Sequence, residues 1–147
     1  MIARDVMTPD PVTVTRDTSI GQAAELMRDR DISMLPVIDR DTGIWLHGVI
    51  TDRDIVDRCV AQGHTSGCVV GDHWTAMGVE TVHAEDSLDA IIVKLATGNV
   101  RRAPVVDTAS RIVGIVTRAD LVRRGGRDDP AARARILEQL SDVTAGH

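Results

Sequence analysis

Two strings share a pattern of residue types able to hold a ligand: Gly48-Val49-Ile50-Thr51-Asp52-Arg53-Asp54 and Gly114-Ile115-Val116-Thr117-Arg118-Ala119-Asp120. In each, a glycine lets the backbone approach a bound group closely. A strand-to-helix junction offers N–H groups to a phosphate, and a carboxylate one turn into the helix suits ribose hydroxyls. The same spacing also has a purely structural use. Thr-x-x-Asp resembles a capping box, in which Thr51 and Thr117 cap helices and Asp54 and Asp120 favour their positive ends, with no ligand involved. The two uses part on whether Asp54 and Asp120 stand open to solvent or are tied up by their own helix ends.

Other chemistry-bearing residues are sparser. His64, Cys68, His73 and His83 are neighbours in sequence, and His and Cys are the preferred ligands of zinc. Their spacing matches no known zinc finger, so the alternative is a linker with scattered histidines, and no metal ligand is assigned. His47 falls on a strand with no Ser or Cys nucleophile to pair with, and Cys59 follows an apolar helix face as a small core residue does. Most carboxylates fall in mixed-charge runs such as Arg28-Asp29-Arg30-Asp31, which leaves paired acid/base catalysis unsupported. The expectation is that the protein is not an enzyme.

Composition narrows the partners. The 147 residues fit a single compact unit, and 43% hydrophobic with 27% charged residues is the balance of a globular protein. Phe and Tyr are absent and Trp45 and Trp74 are the only aromatics, so the core is aliphatic and lacks the stacking platforms of single-strand binders. A net charge of −5 opposes duplex binding, which needs a basic face. No nucleic acid is expected. Residues 1–10 carry no basic-then-apolar leader and no run reaches a membrane span, so a cytoplasmic protein without a membrane partner is expected. Two cysteines are too few for a disulfide framework and fit a reducing compartment.

The elements that must position the two strings come in two copies. Sliding the chain by 68 residues lays Thr13-Val14 on Thr81-Val82, Ser19-Ile20 on Ser87-Leu88 and Pro36-Val37 on Pro104-Val105. After a shorter hairpin in the second copy, the glycine strings align at an offset of 66. Each copy carries a helix with one apolar stripe, Ile20, Ala23, Ala24 and Met27 or Leu88, Ile91, Ile92 and Leu95. Ser19, with Gln22 three residues on, and Ser87 are their N-caps. Strands follow at 35–38 and 46–51, then at 103–106 and 112–117, joined by turns at 39–43 and 107–110. A second helix starts at Thr51 and at Thr117. The expected fold class is α/β (α+β), two related repeats each with a small sheet and two helices: residues 1–60, a linker 61–70, residues 71–124, and a tail 125–147. In the tail, Asp129-Pro130 opens a short helix over 131–140 whose stripe Ile136, Leu137, Leu140 needs a partner, either the body of the protein or a second subunit.

Taken together, Asp5-Val6-Met7, Leu35-Pro36-Val37 and Gly48-x-x-Thr51-x-x-Asp54, with their second-copy partners, resemble a tandem pair of CBS domains, a Bateman module, over about residues 3–124. The chain is similar to stand-alone hypoxic response proteins built from one such pair. Met7 against Trp74 and the longer first hairpin are the departures between copies. The resemblance implies two pseudo-twofold-related repeats with an adenosine-ligand site in the cleft between them, occupied by AMP, ADP, ATP, NAD or S-adenosylmethionine. It puts Asp54 and Asp120 on ribose and Thr51 and Thr117 near phosphate. It also puts Ser33 and Met34, or Arg101 and Arg102, towards the phosphates, and closes each pocket with the extended segment of the opposite copy, Thr13 near Asp120 and Thr81 near Asp54. Guanidinium groups bind phosphate in a way Met34 does not, so the Arg101/Arg102 site is the stronger one. The implied function is a non-catalytic regulatory or stress-response ligand sensor. It acts as a homodimer through the helices after Thr51 and Thr117, with output to an unknown protein partner. The alternative is a ligand-free structural or protein-interaction dimer, with or without bound metal.

Overall fold

The computed structural model describes residues 1–43, 45–76, 79–127 and 129–145. In chain order the elements are α1 (Ala3–Val6), β1 (Thr8–Pro9), α2 (Ile20–Arg30), β2 (Met34–Ile38), β3 (Leu46–Thr51), α3 (Asp52–Asp54, continuing as a π-helix over Ile55–Val60) and a 3₁₀ turn (Val70–Asp72). They continue with β4 (Val82–His83), α4 (Leu88–Thr97), β5 (Arg102–Val106), β6 (Ile112–Thr117), α5 (Arg118–Asp120, continuing as a π-helix over Leu121–Gly125) and α6 (Pro130–Ala145). Among the described residues no helix is long and apolar enough to cross a membrane.

The chain forms two compact units, Val12–Val79, and Met1–Pro11 with Glu80–His147. These cuts are offset from the sequence repeat. Each unit takes the body of one repeat and the leading segment of the other, because each body leaves a sheet edge that the segment completes.

In the Val12–Val79 unit, β2 and β3 pair antiparallel from Met34 opposite Thr51 to Ile38 opposite Leu46, with a bulge after Val37. Val14 bridges Val37 on one side and Thr75 bridges Val49 on the other. The helix α2 starts at a capping box: Ser19 Oγ accepts from Gln22 N at 3.1 Å and Ser19 N donates to Gln22 Oε1 at 3.3 Å. It stops where Asp31 turns left-handed (φ 52), a conformation that short polar side chains tolerate. Its buried stripe is Ile20, Ala23 and Met27, and the expected Ala24 faces solvent instead. Leu35, Val37, Ile50, Ile55, Cys59 and Val70 complete that core. Residues 66–68 of the linker are held down by Gly21 N to Ser66 O (2.9 Å) and Ile20 N to Cys68 O (2.7 Å).

The other unit holds a sheet ordered β1-β6-β5-β4, with β4 parallel to β5 and the rest antiparallel. Its core gathers Val6, Met7, Ile91, Ile92, Leu95, Val105, Val116 and Leu121. Ile136 of α6 joins this core with no exposed surface, which answers for that residue which partner the tail helix needs: the body of its own unit. Leu137 is exposed, and the side chain of Leu140 lies outside the described residues. A Cβ at Gly126 would lie 2.5 Å from Arg133 Cβ, so glycine there is what lets α6 approach.

Candidate functional site

The predicted site residues sit where β3 runs into α3 and β6 into α5. Thr51 Oγ1 accepts from Asp54 N at 3.1 Å, and Asp54 Oδ2 accepts from Thr51 N at 3.0 Å. Thr117 and Asp120 repeat this at 3.0 and 3.1 Å. Both aspartates are therefore tied up by their own helix ends, and they are only 8% and 4% exposed. By that criterion the motif serves as a cap in both units, and a ligand role has to be argued from the residues around it.

Their second carboxylate oxygens differ. Arg123 donates to Asp120 Oδ1 at 2.7 Å, from a side chain 65% exposed. At Asp54 the oxygens face the Thr75 hydroxyl at 3.4 Å, and Arg58 Nε stands 3.7 Å from Oδ1.

The N–H groups offered to a phosphate by the sequence are occupied by protein. Around Asp54, Asp52 N donates to Ser33 O (3.0 Å) and Arg53 N to Asp52 Oδ1 (2.8 Å), besides the two cap bonds. In the other unit Arg118 N donates to Arg101 O at 2.8 Å. The glycines are also spoken for. A Cβ on Gly48 would fall on the Thr75 carbonyl oxygen and 2.9 Å from the Trp74 ring; one on Gly114 would lie 2.5 Å from Met7 Sδ and 2.9 Å from Thr8 O. The close approach that the sequence assigned to a phosphate is made instead by the protein's own leading segments.

The side chains placed to receive a phosphate are unequal. Arg102 pairs with Thr117 across β5 and β6, and Arg101 precedes it; in the other unit the same register places Met34 opposite Thr51, with Ser33 before it. Thr13 stands one residue before the Val14 bridge in the Val12–Val79 unit. Thr81 belongs to the other unit, where its carbonyl accepts from Lys94 Nζ at 3.3 Å. A cavity of about 580 Å³ opens at the hairpin end of the Val12–Val79 unit, between Arg16, Asp39, His47 and Trp74, and includes no predicted site residue.

Two arginines escaped the sequence reading. Arg58 donates to Trp74 O at 2.8 Å and Arg124 to Met7 O at 2.7 Å, each clamping a leading segment onto its unit. The signal was present, since Arg58 and Arg124 keep the 66-residue offset of Gly48 and Gly114.

This fold, with its paired Thr-x-x-Asp junctions, defines a class, and sequence comparison agrees. The CBS domain model matches residues 3–61 and 74–126, and the chain belongs to that family. Hypoxic response protein 1 of Mycobacterium tuberculosis is 35% identical over 121 residues, 82% of each chain. Among solved structures, Hypoxic Response Protein I with two coordinated zinc ions is 34% identical, with a TM-score of 0.73 over 84% of this chain and 98% of that one. CBSX2 in complex with AMP is 31% identical, with a TM-score of 0.70 over 84% and 95%. The CBS domain pair of protein MJ0100, in complex with 5′-methylthioadenosine and S-adenosyl-L-methionine, is also 31% identical, with a TM-score of 0.74 over 86% and 96%.

Proposed function

We propose that this chain is a non-catalytic regulatory sensor that binds an adenosine-containing ligand through Asp120 and Thr117, with Arg101 and Arg102 receiving its phosphates. The observation that carries this is the register of β5 and β6, which brings two arginines to the one Thr-x-x-Asp junction and leaves Ser33 and Met34 at the other. Relatives with this fold are recorded with AMP, S-adenosylmethionine and 5′-methylthioadenosine. An ionised carboxylate has about four acceptor sites, so one cap bond and one arginine leave Asp120 room for two ribose hydroxyls. Arg123 reaches it from solvent with a side chain 65% exposed, and a ligand's hydroxyls would take over its place at the carboxylate. Asp54 and Thr51 form the weaker site, and Thr13 and Thr81 complete the set of ligand-facing residues.

Val56 and Val60 lie exposed on α3, whereas Val122, the counterpart of Val56 on α5, is half-buried against its own unit's core and Val60 is matched by Gly126. The homodimer we propose therefore forms through α3, with two-fold packing. Ligand binding then changes output only to the extent that the ligand prefers one conformational or associated state.

Isothermal titration of nucleotide-stripped protein with AMP, ADP, ATP, NAD and S-adenosylmethionine tests the reading. Saturable binding by at least one supports it. Silence from all five at millimolar concentration contradicts it and leaves the Thr-x-x-Asp pairs as caps in a protein-interaction module.

A further inference from the structure

The linker 61–70 exists once in the chain, and His73, where the other repeat has Val6, follows it closely. There His64 Nδ1 and His73 Nε2 stand 3.2 Å apart with ring centroids 5.0 Å apart, and these two atoms and Cys68 Sγ all lie within 4.8 Å of one another. His73 is only 5% exposed, one of the three buried polar residues among those described, and no cation is needed to explain the fold around it. Cys59, buried on α3, points its thiol at Thr65 O at 3.5 Å and is not part of this cluster. The residue equivalent to Cys59 in the other repeat is Gly125, so the thiol is not a requirement of the shared fold.

The backbone carrying these groups is fixed from several sides. His64 N donates to Cys59 O (2.9 Å), Cys68 N to Thr65 O (3.1 Å), His73 N to Val70 O (3.0 Å), and Cys68 O accepts from the start of α2 (2.7 Å). Arg58 holds the carbonyl of Trp74, the next residue after His73. Zinc–nitrogen bonds of about 2.0–2.1 Å in a tetrahedron put two nitrogens about 3.3 Å apart. The two imidazoles already stand at that spacing.

We propose that His64 Nδ1, His73 Nε2 and the thiolate of Cys68 bind one zinc ion. The Cys68 thiol proton leaves to solvent on binding, the three protein ligands occupy three corners of the tetrahedron, and a water takes the fourth. It staples residues 64 and 68 to His73, two residues from Thr75, which faces Asp54.

The test uses reduced, chelator-stripped full chain. Zinc is titrated against a chromophoric competitor, and cobalt serves as the optical probe. The expected result is one ion per chain, with the visible bands of tetrahedral cobalt and a near-ultraviolet thiolate charge-transfer band. His64→Gln and Cys68→Ser should each weaken zinc by more than the about 10–100-fold that losing an outer-shell partner costs. His64 is exposed, so His64→Gln leaves the metal-free fold and melting temperature unchanged and isolates ligation from folding. Absence of stoichiometric binding by the reduced protein overturns the proposal, as does binding that ignores His64→Gln and Cys68→Ser.

Discussion

Replacing Gly48 by alanine separates the two uses of the glycine strings. The added methyl collides with the carbonyl oxygen of Thr75 and, at 2.9 Å, with the Trp74 ring, so the bridged segment must move. Backbone cannot rotate away as a flexible side chain does. The cost therefore sits at the upper end of the about 1–3 kcal/mol typical of an overpacked methyl. At about 2–4 °C per kcal/mol for a chain of this size, the melting temperature should fall by about 5–10 °C. Gly114→Ala should cost less, because its nearest obstacle, Met7 Sδ at 2.5 Å, is the end of a flexible thioether, although Thr8 O remains at 2.9 Å. Gly67→Ala is the control: its nearest neighbour would be Thr65 Oγ1 at 3.6 Å, ordinary contact. That change should be neutral, or stabilising by up to about 1 kcal/mol through the unfolded chain. Circular-dichroism melts of the three variants, made in chelator, rank them. If Gly48→Ala melts with the wild type and loses nucleotide binding, the glycine admits a ligand and not the leading segment, and the packing argument fails.

Three further outcomes follow from the geometry. Ile136→Ala should cost about 2–5 kcal/mol by leaving a cavity under α6, while the exposed Leu137→Ala stays within about 0.5 kcal/mol, both read by urea denaturation. Thr117→Val removes the hydroxyl that accepts from Asp120 N and should cost about 1 kcal/mol in the same assay, as loss of an N-cap does. Burial alone would raise the Asp86 carboxyl, but Lys94 at 2.8 Å and the His83 N–H at 2.9 Å outweigh it and hold the group below its ordinary 3.8. Its contribution is then complete above that ordinary value and is lost as pH falls through the depressed one, so Lys94→Met should flatten the drop in melting temperature between about pH 5 and pH 3.

The parts of the fold governed by local rules were legible. Capping boxes, amphipathic stripes and hairpin turns depend on residues three or four apart, and Ser19, Thr51 and Thr117 do in the structure what their spacing implies. The exchange of leading segments was not, since nothing local says whether residues 2–9 complete the sheet of their own repeat or that of the other. The same blindness misassigned the glycines: a position needing no Cβ announces a close approach without naming what approaches. The π-helical turns in α3 and α5 carry no signal of their own, because Ile55 and Cys59 keep an ordinary i, i+4 spacing. The aspartates illustrate the limit of the motif itself, for one Thr-x-x-Asp string serves as a cap whether or not a ribose also binds. Only the neighbouring strand, through Arg102 opposite Thr117, adds information that a cap does not need.

The central claim is that the Asp120 junction binds the adenosine moiety and the Asp54 junction does so weakly. Titration of Asp120→Asn and Asp54→Asn beside the wild type tests it most directly, since asparagine keeps one acceptor oxygen for the cap while it removes the charge and turns the other acceptor into a donor. With the metal-free melts of both variants as the folding control, Asp120→Asn should abolish binding of the ligand that the wild type takes up, and Asp54→Asn should barely change it. The reverse ranking, or equal affinity in all three proteins, contradicts the account.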